Sequence, residues 1–385
     1  MPLNNNRHAL SPTDIKRDEQ FDTPQEILPL SPAPWAVALV GETDKAKEKT
    51  MHTLLEKNTL STQDDYSNKM EGASLIDSPR KVWWCGFSTL FQSFEHNMAK
   101  ELFPGVPVER LEFDPEKMNT ATKEDVLFMT HNGPCFFVAE QALKDFPGKI
   151  IYFDGENRGF YSDHERFYSI GPRADSKNSI RTYFGAMVLS VMKESIAQRI
   201  LDHGSRAKNS KLRFLLYIAR KCLSDRDDAL KAISRIRQVH AGASCKGAKN
   251  TTVVEETLGG SWESNYDVFA DYRFALVMEN TKYDGYITEK IINAFASGTV
   301  PIWYGTREVF DVFNERAFVY YDITNPQPAL DRIAYLESNS TAYDEVLTEP
   351  ILKNGVETQE KYFSFRDGIG GGKLKKRIRN MMGFR

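Results

Sequence analysis

Between residues 82 and 322, short apolar runs alternate with segments of helical periodicity, and this alternation constrains the fold more than any other feature of the chain. The first half reads VWWCGF (82–87), VERLEF (108–113), DVLFMTH (125–131), a helical FFVAEQALKDF (136–146) and KIIYFDGEN (149–157). Consecutive parallel strands need a crossover, so strand, helix, strand in series predicts a parallel sheet with helices on its faces. Residues 158–205 are less regular. The alternation restarts with KLRFLLYIA (211–219), the helical SDRDDALKAISRI (224–236) and QVHAGAS (238–244). It continues through RFALVM (273–278), a helix in TEKIINAFAS (288–297) ended by Gly298, TVPIWYG (299–305), a short helix in FDVFNE (310–315), and AFVYYD (317–322). Two such α/β series predict paired Rossmann-like domains facing a cleft, one over 79–205 and one over 206–345. Residues 1–78, rich in Asn, Ser, Thr, Asp, Lys and Pro, read as an irregular or disordered extension. Residues 346–385 read as a tail ending in the basic amphipathic KLKKRIRNMMGFR.

A chain of 385 residues accommodates about two domains of ordinary size plus tails. Its net charge of -3 gives no support to nucleic-acid binding, which asks for a basic domain. Cys85, Cys135, Cys222 and Cys245 lack the close CxxC spacing of zinc or redox sites and read as buried apolar thiols. In an oxidising compartment Cys222 and Cys245 could pair, and spacing alone does not decide it. Asn250-Thr251-Thr252 and Asn339-Ser340-Thr341 would then be usable as glycosylation acceptors. No apolar run approaches the roughly 20 residues needed to span a bilayer, the best being PWAVALVG (34–41), and the first thirty residues do not read as a secretory signal. The expectation is a protein soluble where it is made, or one whose anchor is not in this chain.

Residues 279–290, ENTKYDGYITEK, carry an unusual density of ionising and hydrogen-bonding groups between two apolar stretches. They lie at the carboxyl end of a predicted parallel strand and lead into a helix starting near Thr288, the place where open α/β sheets bind ligands. A helix start offers free N–H groups and partial positive charge, which suits a phosphate. Lys290 is misplaced against that dipole unless an anion holds both. The plainer alternative makes Thr288 an N-cap, Glu289 a favourable first-turn acid and Lys290 a solvated side chain.

The stretch RFALVMENTKYDGYITEKIINAFASGTVPIWYG resembles the signature of the GDP-fucose-dependent α-1,3/4-fucosyltransferases, the family 10 glycosyltransferases, and a weaker similarity extends over about 149–325. The resemblance implies a GT-B fold with an acceptor-binding N-terminal domain and a GDP-fucose-binding C-terminal domain. It also implies inverting transfer of L-fucose from GDP-fucose to a glycan acceptor hydroxyl, with α-1,3 linkage to GlcNAc as the expected product. Such a displacement needs a base for the acceptor hydroxyl and cations for the departing diphosphate. Glu156, in YFDGEN, inherits the base role by resemblance to the bacterial branch, with Asp154 as runner-up. Arg226 takes the place of a diphosphate-binding arginine, and with Lys290 would neutralise two phosphates. Its surroundings depart from the family's SNCxSxxR form, leaving Asp225 unexplained. By the same carry-over Asn280 and Tyr286 line the diphosphate and fucose region, Glu289 holds ribose or fucose hydroxyls, and Glu279 fixes the loop. Asp284 stands one residue earlier than in many animal relatives, with Gly285 before the tyrosine, as in the bacterial form.

With two cations on the diphosphate, no obligatory metal or other cofactor is expected, which leaves room for stimulation by Mg or Mn. Two rival readings keep the fold: a GT-B transferase using another nucleotide sugar, or a non-catalytic nucleotide-sugar or glycan-binding relative. By resemblance to eukaryotic relatives the compartment would be the Golgi membrane system; to bacterial ones, the cytoplasm. GIGGGK (368–373) lacks the spacing of a phosphate loop and reads as a hinge. KLKKRIR reads as a solvated or docking helix, with peripheral membrane contact as the alternative. His131 and the WWCGF cluster read as structural.

Overall fold

The computed structural model describes residues 77–85, 92–111, 115–130, 139–155, 161–183, 194–201, 213–219, 223–242, 252–253 and 265–385. Twelve strands among them form two six-stranded sheets, parallel throughout. The first contains β1 (Val82–Cys85), β2 (Val108–Arg110), β3 (Val126–Thr130), β4 (Lys149–Phe153), β5 (Phe167–Gly171) and β6 (Ser179–Arg181), in the order β2-β1-β3-β4-β5-β6. The second contains β7 (Arg213–Ile218), β8 (Val239–Gly242), β9 (Thr252–Val253), β10 (Tyr272–Met278), β11 (Val300–Tyr304) and β12 (Val319–Tyr320), in the order β12-β11-β10-β7-β8-β9. Central strands such as VLFMT and FALVM are buried on both faces, which is why they read as continuous apolar runs rather than alternating ones.

Helices α1 (Gln92–Leu102), α2 (Pro115–Met118), α3 (Ala139–Asp145) and α4 (Glu194–Leu201) lie in the first half of the chain. The second half adds α5 (Ser224–Ile233), α6 (Asn265–Phe269), α7 (Glu289–Ala296), α8 (Val309–Val312), α9 (Gln327–Ser338), α10 (Ser340–Thr348), α11 (Val356–Tyr362) and α12 (Lys373–Met381). One face of the first sheet, with Trp83, Leu127, Met129, Ile150 and Tyr152, packs against Ala139, Ala142 and Phe146. Its other face, with Val82, Phe128, Ile151 and Phe153, packs against α1 and the C-terminal Leu374, Ile378, Met382 and Phe384. The second sheet turns Leu216, Ala275, Val277 and Trp303 toward α7, and Leu215, Tyr217, Phe274 and Leu276 toward α5, α9 and α10.

Four sequence expectations change. The less regular stretch 158–205 contributes β5, β6 and α4, whose short strands FYSIG and SIR carry too little apolar length to stand out. Residues 346–385 are not a loose tail. Lys149 Nζ donates to the Met382 carbonyl at 2.5 Å, Lys375 pairs with Glu101 at 2.9 Å, and the Phe103 and Phe384 rings meet at 5.0 Å. The basic helix therefore docks by its apolar face onto the first sheet, so that face is not open to a lipid surface. Cys85 is buried as expected, but it is disulfide-bonded rather than a free thiol. GIGGGK is neither a phosphate loop nor a slack hinge. Gly370, Gly371 and Gly372 all have positive φ (57°, 65° and 65°) and form the turn that starts α12. Among the described residues no helix is long and apolar enough to cross a membrane. The expected extension over 1–78 lies outside the described residues except for its last two positions.

Candidate active site

Numbered from β7, the second sheet has the strand order 3-2-1-4-5-6, so the crossover direction reverses between β7 and β10. The helices that follow these two strands leave on opposite faces, and a crevice opens at the strands' carboxyl ends. The polar connection 279–288 emerges at that point.

Arg226, in the first turn of α5, is 4% exposed and reaches across the switch point. Its Nη2 donates to the Met278 carbonyl at 2.8 Å and to Asn280 Oδ1 at 2.5 Å. Arg226 and Asn280 thus meet at the end of β10, Arg226 buried and Asn280 exposed.

Glu279 turns inward. Its backbone N–H bonds the Tyr304 carbonyl of β11 at 2.8 Å, and its side chain is fully buried. Oε1 accepts from the Thr288 N–H and hydroxyl, both at 2.8 Å, and Oε2 accepts from Lys290 Nζ at 2.8 Å. Lys290 also donates to Thr288 Oγ1 at 2.8 Å. A carboxylate at one end of the connection therefore closes it on the other end. The neighbouring chain leaves room only because position 305 is glycine: a Cβ there would stand 3.1 Å from Glu279 Cγ and 2.4 Å from the Trp303 ring.

Thr288 occupies the N-cap position of α7, yet its side chain makes no cap bond, since its hydroxyl is committed to Glu279 and Lys290. The counter-charge that Lys290 needs at a helix start is supplied inside the chain by Glu279. Burial works against the ammonium, but the Glu279 and Glu289 carboxylates outweigh it and hold Lys290 above the ordinary lysine range. Burial pushes the Glu289 carboxyl up; Glu279 adds to the rise and Lys290 opposes it. Tyr286 is buried at 7% exposure, whereas Tyr283 stands out at 54%.

The connection touches the first half of the chain. Gly285 has φ +77°, and a Cβ on it would lie 2.6 Å from Cα and O of Pro172, just past β5. Its N–H donates to the carboxylate of Glu308, whose other oxygen meets Arg181 of β6 at 2.5 Å. Sequence reasoning missed Pro172, Arg181 and Glu308. The one available signal was a carboxylate soon after the carboxyl end of β11.

On the first sheet, Asp154 follows β4, is 1% exposed, and accepts a hydrogen bond from the Tyr161 hydroxyl at 2.5 Å. Burial, reinforced by Asp154, raises the Tyr161 pKa well above the tyrosine range. Glu156 and His131 lie outside the described residues, as do Cys135, Cys222, Cys245 and Asn250. The structure thus brings Arg226, Asn280, Tyr286, Glu289 and Lys290 to one switch point. Among the described residues no group of three or more His, Cys, Asp or Glu is placed to hold a metal ion.

Residues 208–348 match the family model described as glycosyltransferase family 10 (fucosyltransferase), C-terminal. The alpha-(1,3)-fucosyltransferase FucT of Helicobacter pylori is 40% identical over 97 residues, which cover 25% of this chain and 20% of that protein. GDP-fucose protein O-fucosyltransferase 3 of Homo sapiens is 27% identical over 158 residues, covering 40% of this chain and 33% of that one. The matched segments thus span a third or less of these relatives' own length. A crystal structure of an alpha1,3-fucosyltransferase with GDP superposes with a TM-score of 0.54 at 18% identity, over 81% of this chain and 92% of that one. The same comparison with the GDP-fucose complex gives 0.52 at 19%, covering 80% and 92%. At these identities the superpositions establish the shared fold, a GT-B arrangement of two α/β lobes.

Proposed function

We propose, from the family 10 match over residues 208–348, that the chain is a glycosyltransferase that transfers L-fucose from GDP-fucose to an acceptor hydroxyl with inversion at the anomeric carbon. The observation that carries this reading is the clustering of Arg226, Asn280, Tyr286, Glu289 and Lys290 at the carboxyl ends of β7 and β10. In this reading the diphosphate sits over the start of α7. The Lys290 ammonium, with two of its three N–H groups already aimed by Glu279 and Thr288, turns its remaining one toward a phosphate oxygen. Arg226 fixes the amide of Asn280, and its guanidinium adds positive charge beneath the leaving group. Glu289 accepts from sugar hydroxyls, and Glu156 takes the acceptor proton. Asp154 suits the base role less well, being buried and committed to Tyr161. The lobe over 79–205 would hold the acceptor and that over 206–345 the nucleotide. Since two cations serve the diphosphate, turnover should persist in EDTA, with Mg or Mn acting only as stimulants.

The acceptor divides two readings. A glycan hydroxyl, as in α-1,3 transfer to GlcNAc, follows from the segment shared with the bacterial relative. A serine or threonine hydroxyl of a protein is favoured by the longer segment shared with the human O-fucosyltransferase, and would place the protein in the secretory pathway. Incubating the full chain with GDP-fucose and panels of glycans and folded glycoprotein domains, with GDP release as readout, tests both. Transfer should occur on one panel, and Glu156→Gln should abolish it while GDP-fucose still binds. Lys290→Ala should weaken GDP binding by about tenfold or more in calorimetry. No GDP release on any acceptor, together with no GDP binding, would overturn the proposal.

A further inference from the structure

We propose that Glu308 is a positioning residue that locks the donor loop 281–287 against the acceptor lobe; this rests on the reading of that loop as part of the GDP-fucose site. Glu308 lies between β11 and α8, and its two carboxylate oxygens serve opposite sides of the interlobe boundary. Oε2 accepts the N–H of Gly285, in the middle of the loop; Oε1 accepts from Arg181 Nη1 at 2.5 Å, at the end of β6 in the other lobe. The Arg181 backbone is pinned in turn, its N–H donating to Asp175 Oδ1 at 2.6 Å. On the far side of the loop, Gly285 abuts Pro172 so closely that no Cβ fits, and its φ of +77° disfavours any other residue.

Pro172, Arg181 and Glu308 therefore hold one peptide of the loop from two lobes at once. Tyr286 follows that peptide directly, and Thr288, Glu289 and Lys290 follow within five residues. A displacement at Gly285 is transmitted to each group proposed to hold the donor, and a loop that is not held in place beforehand must be ordered at the expense of donor affinity. A charge-assisted bond to an exposed arginine alone would contribute little. The Arg181 and Glu308 side chains are only 28% and 20% exposed, and the same carboxylate also fixes a backbone amide.

The test uses the full chain as wild type, Glu308→Gln, Arg181→Met, the double variant and Gly285→Ala. GDP-release kinetics would be combined with hydrogen exchange of peptides covering 279–290. Glu308→Gln and Arg181→Met should each raise the GDP-fucose KM by about 10-fold, with the acceptor KM unmoved and exchange over 281–287 faster. The double variant should be no worse than either single one, because both remove the same link. Gly285→Ala should reproduce the donor defect without touching the ion pair. Equal exchange in Glu308→Gln and an active wild type would overturn the clamp alone. So would a loss of active fraction with both KM values unchanged, since that marks a merely structural pair. A wild type that neither binds GDP nor releases it from GDP-fucose would bring down the functional reading and the positioning role together.

Discussion

Lys290 stands where a helix dipole opposes it, a penalty of about 0.3–1 kcal/mol at an exposed site, and Glu279 more than offsets that. Removing one partner of a buried pair costs about 3–5 kcal/mol, so thermal melts must accompany any binding measurement on Lys290 variants. Glu289 gives a cleaner experiment. Its folded carboxyl pKa is raised by burial, so the folded state holds that proton more tightly than the unfolded chain does. Its contribution to stability is therefore fully present below the ordinary glutamate pKa of about 4.3 and is lost as pH rises through the raised value. Glu289→Gln lacks that decline. The expected result is a Tm advantage over wild type that is absent near pH 4, grows with pH and then levels off, accompanied by loss of transfer activity; melts from pH 4 to 8 would check it. The density of polar groups in ENTKYDGYITEK was legible from sequence alone. Which of them fold inward was not, because spacing along a chain does not reveal that Glu279 returns to Thr288 and Lys290, or that Arg226 meets Asn280 from a different helix.

Elements long enough to show a period were readable, and short ones were not. RFALVM and TEKIINAFAS come within one residue of β10 and α7, and Gly298 ends the helix with φ +71°. By contrast, β6 has three residues and β9 two, too few for any pattern to rise above composition. Helices α9 and α10 were likewise not anticipated, since they are separated only by Asn339. That residue caps α10 by accepting from the Ala342 N–H at 3.0 Å, while its own N–H bonds the Tyr335 carbonyl at 3.0 Å. Asn339→Ala should cost about 1 kcal/mol, or roughly 2–3 °C of Tm by circular dichroism. The Asn339 side-chain nitrogen donates to Tyr335 Oη at 3.3 Å, so a glycan attached there would compete with the helix junction.

At the scale of the molecule, the two-lobe architecture followed from the alternation of strands and helices. The return of the C-terminus to the first lobe did not, because nothing in KLKKRIRNMMGFR says which sheet it will cover. Phe384 is 2% exposed and packs on Phe103, so Phe384→Ala should lower stability by about 3–5 kcal/mol in denaturant titrations. Because that cover follows the whole second lobe along the chain, synthesis from the N-terminus leaves the part of that side not covered by α1 bare until residues 373–384 have left the ribosome. At about 5–20 residues per second that delay lasts roughly ten seconds or more, long enough for a nascent chain to depend on chaperones and for a premature stop codon to yield a sticky product rather than a usable half.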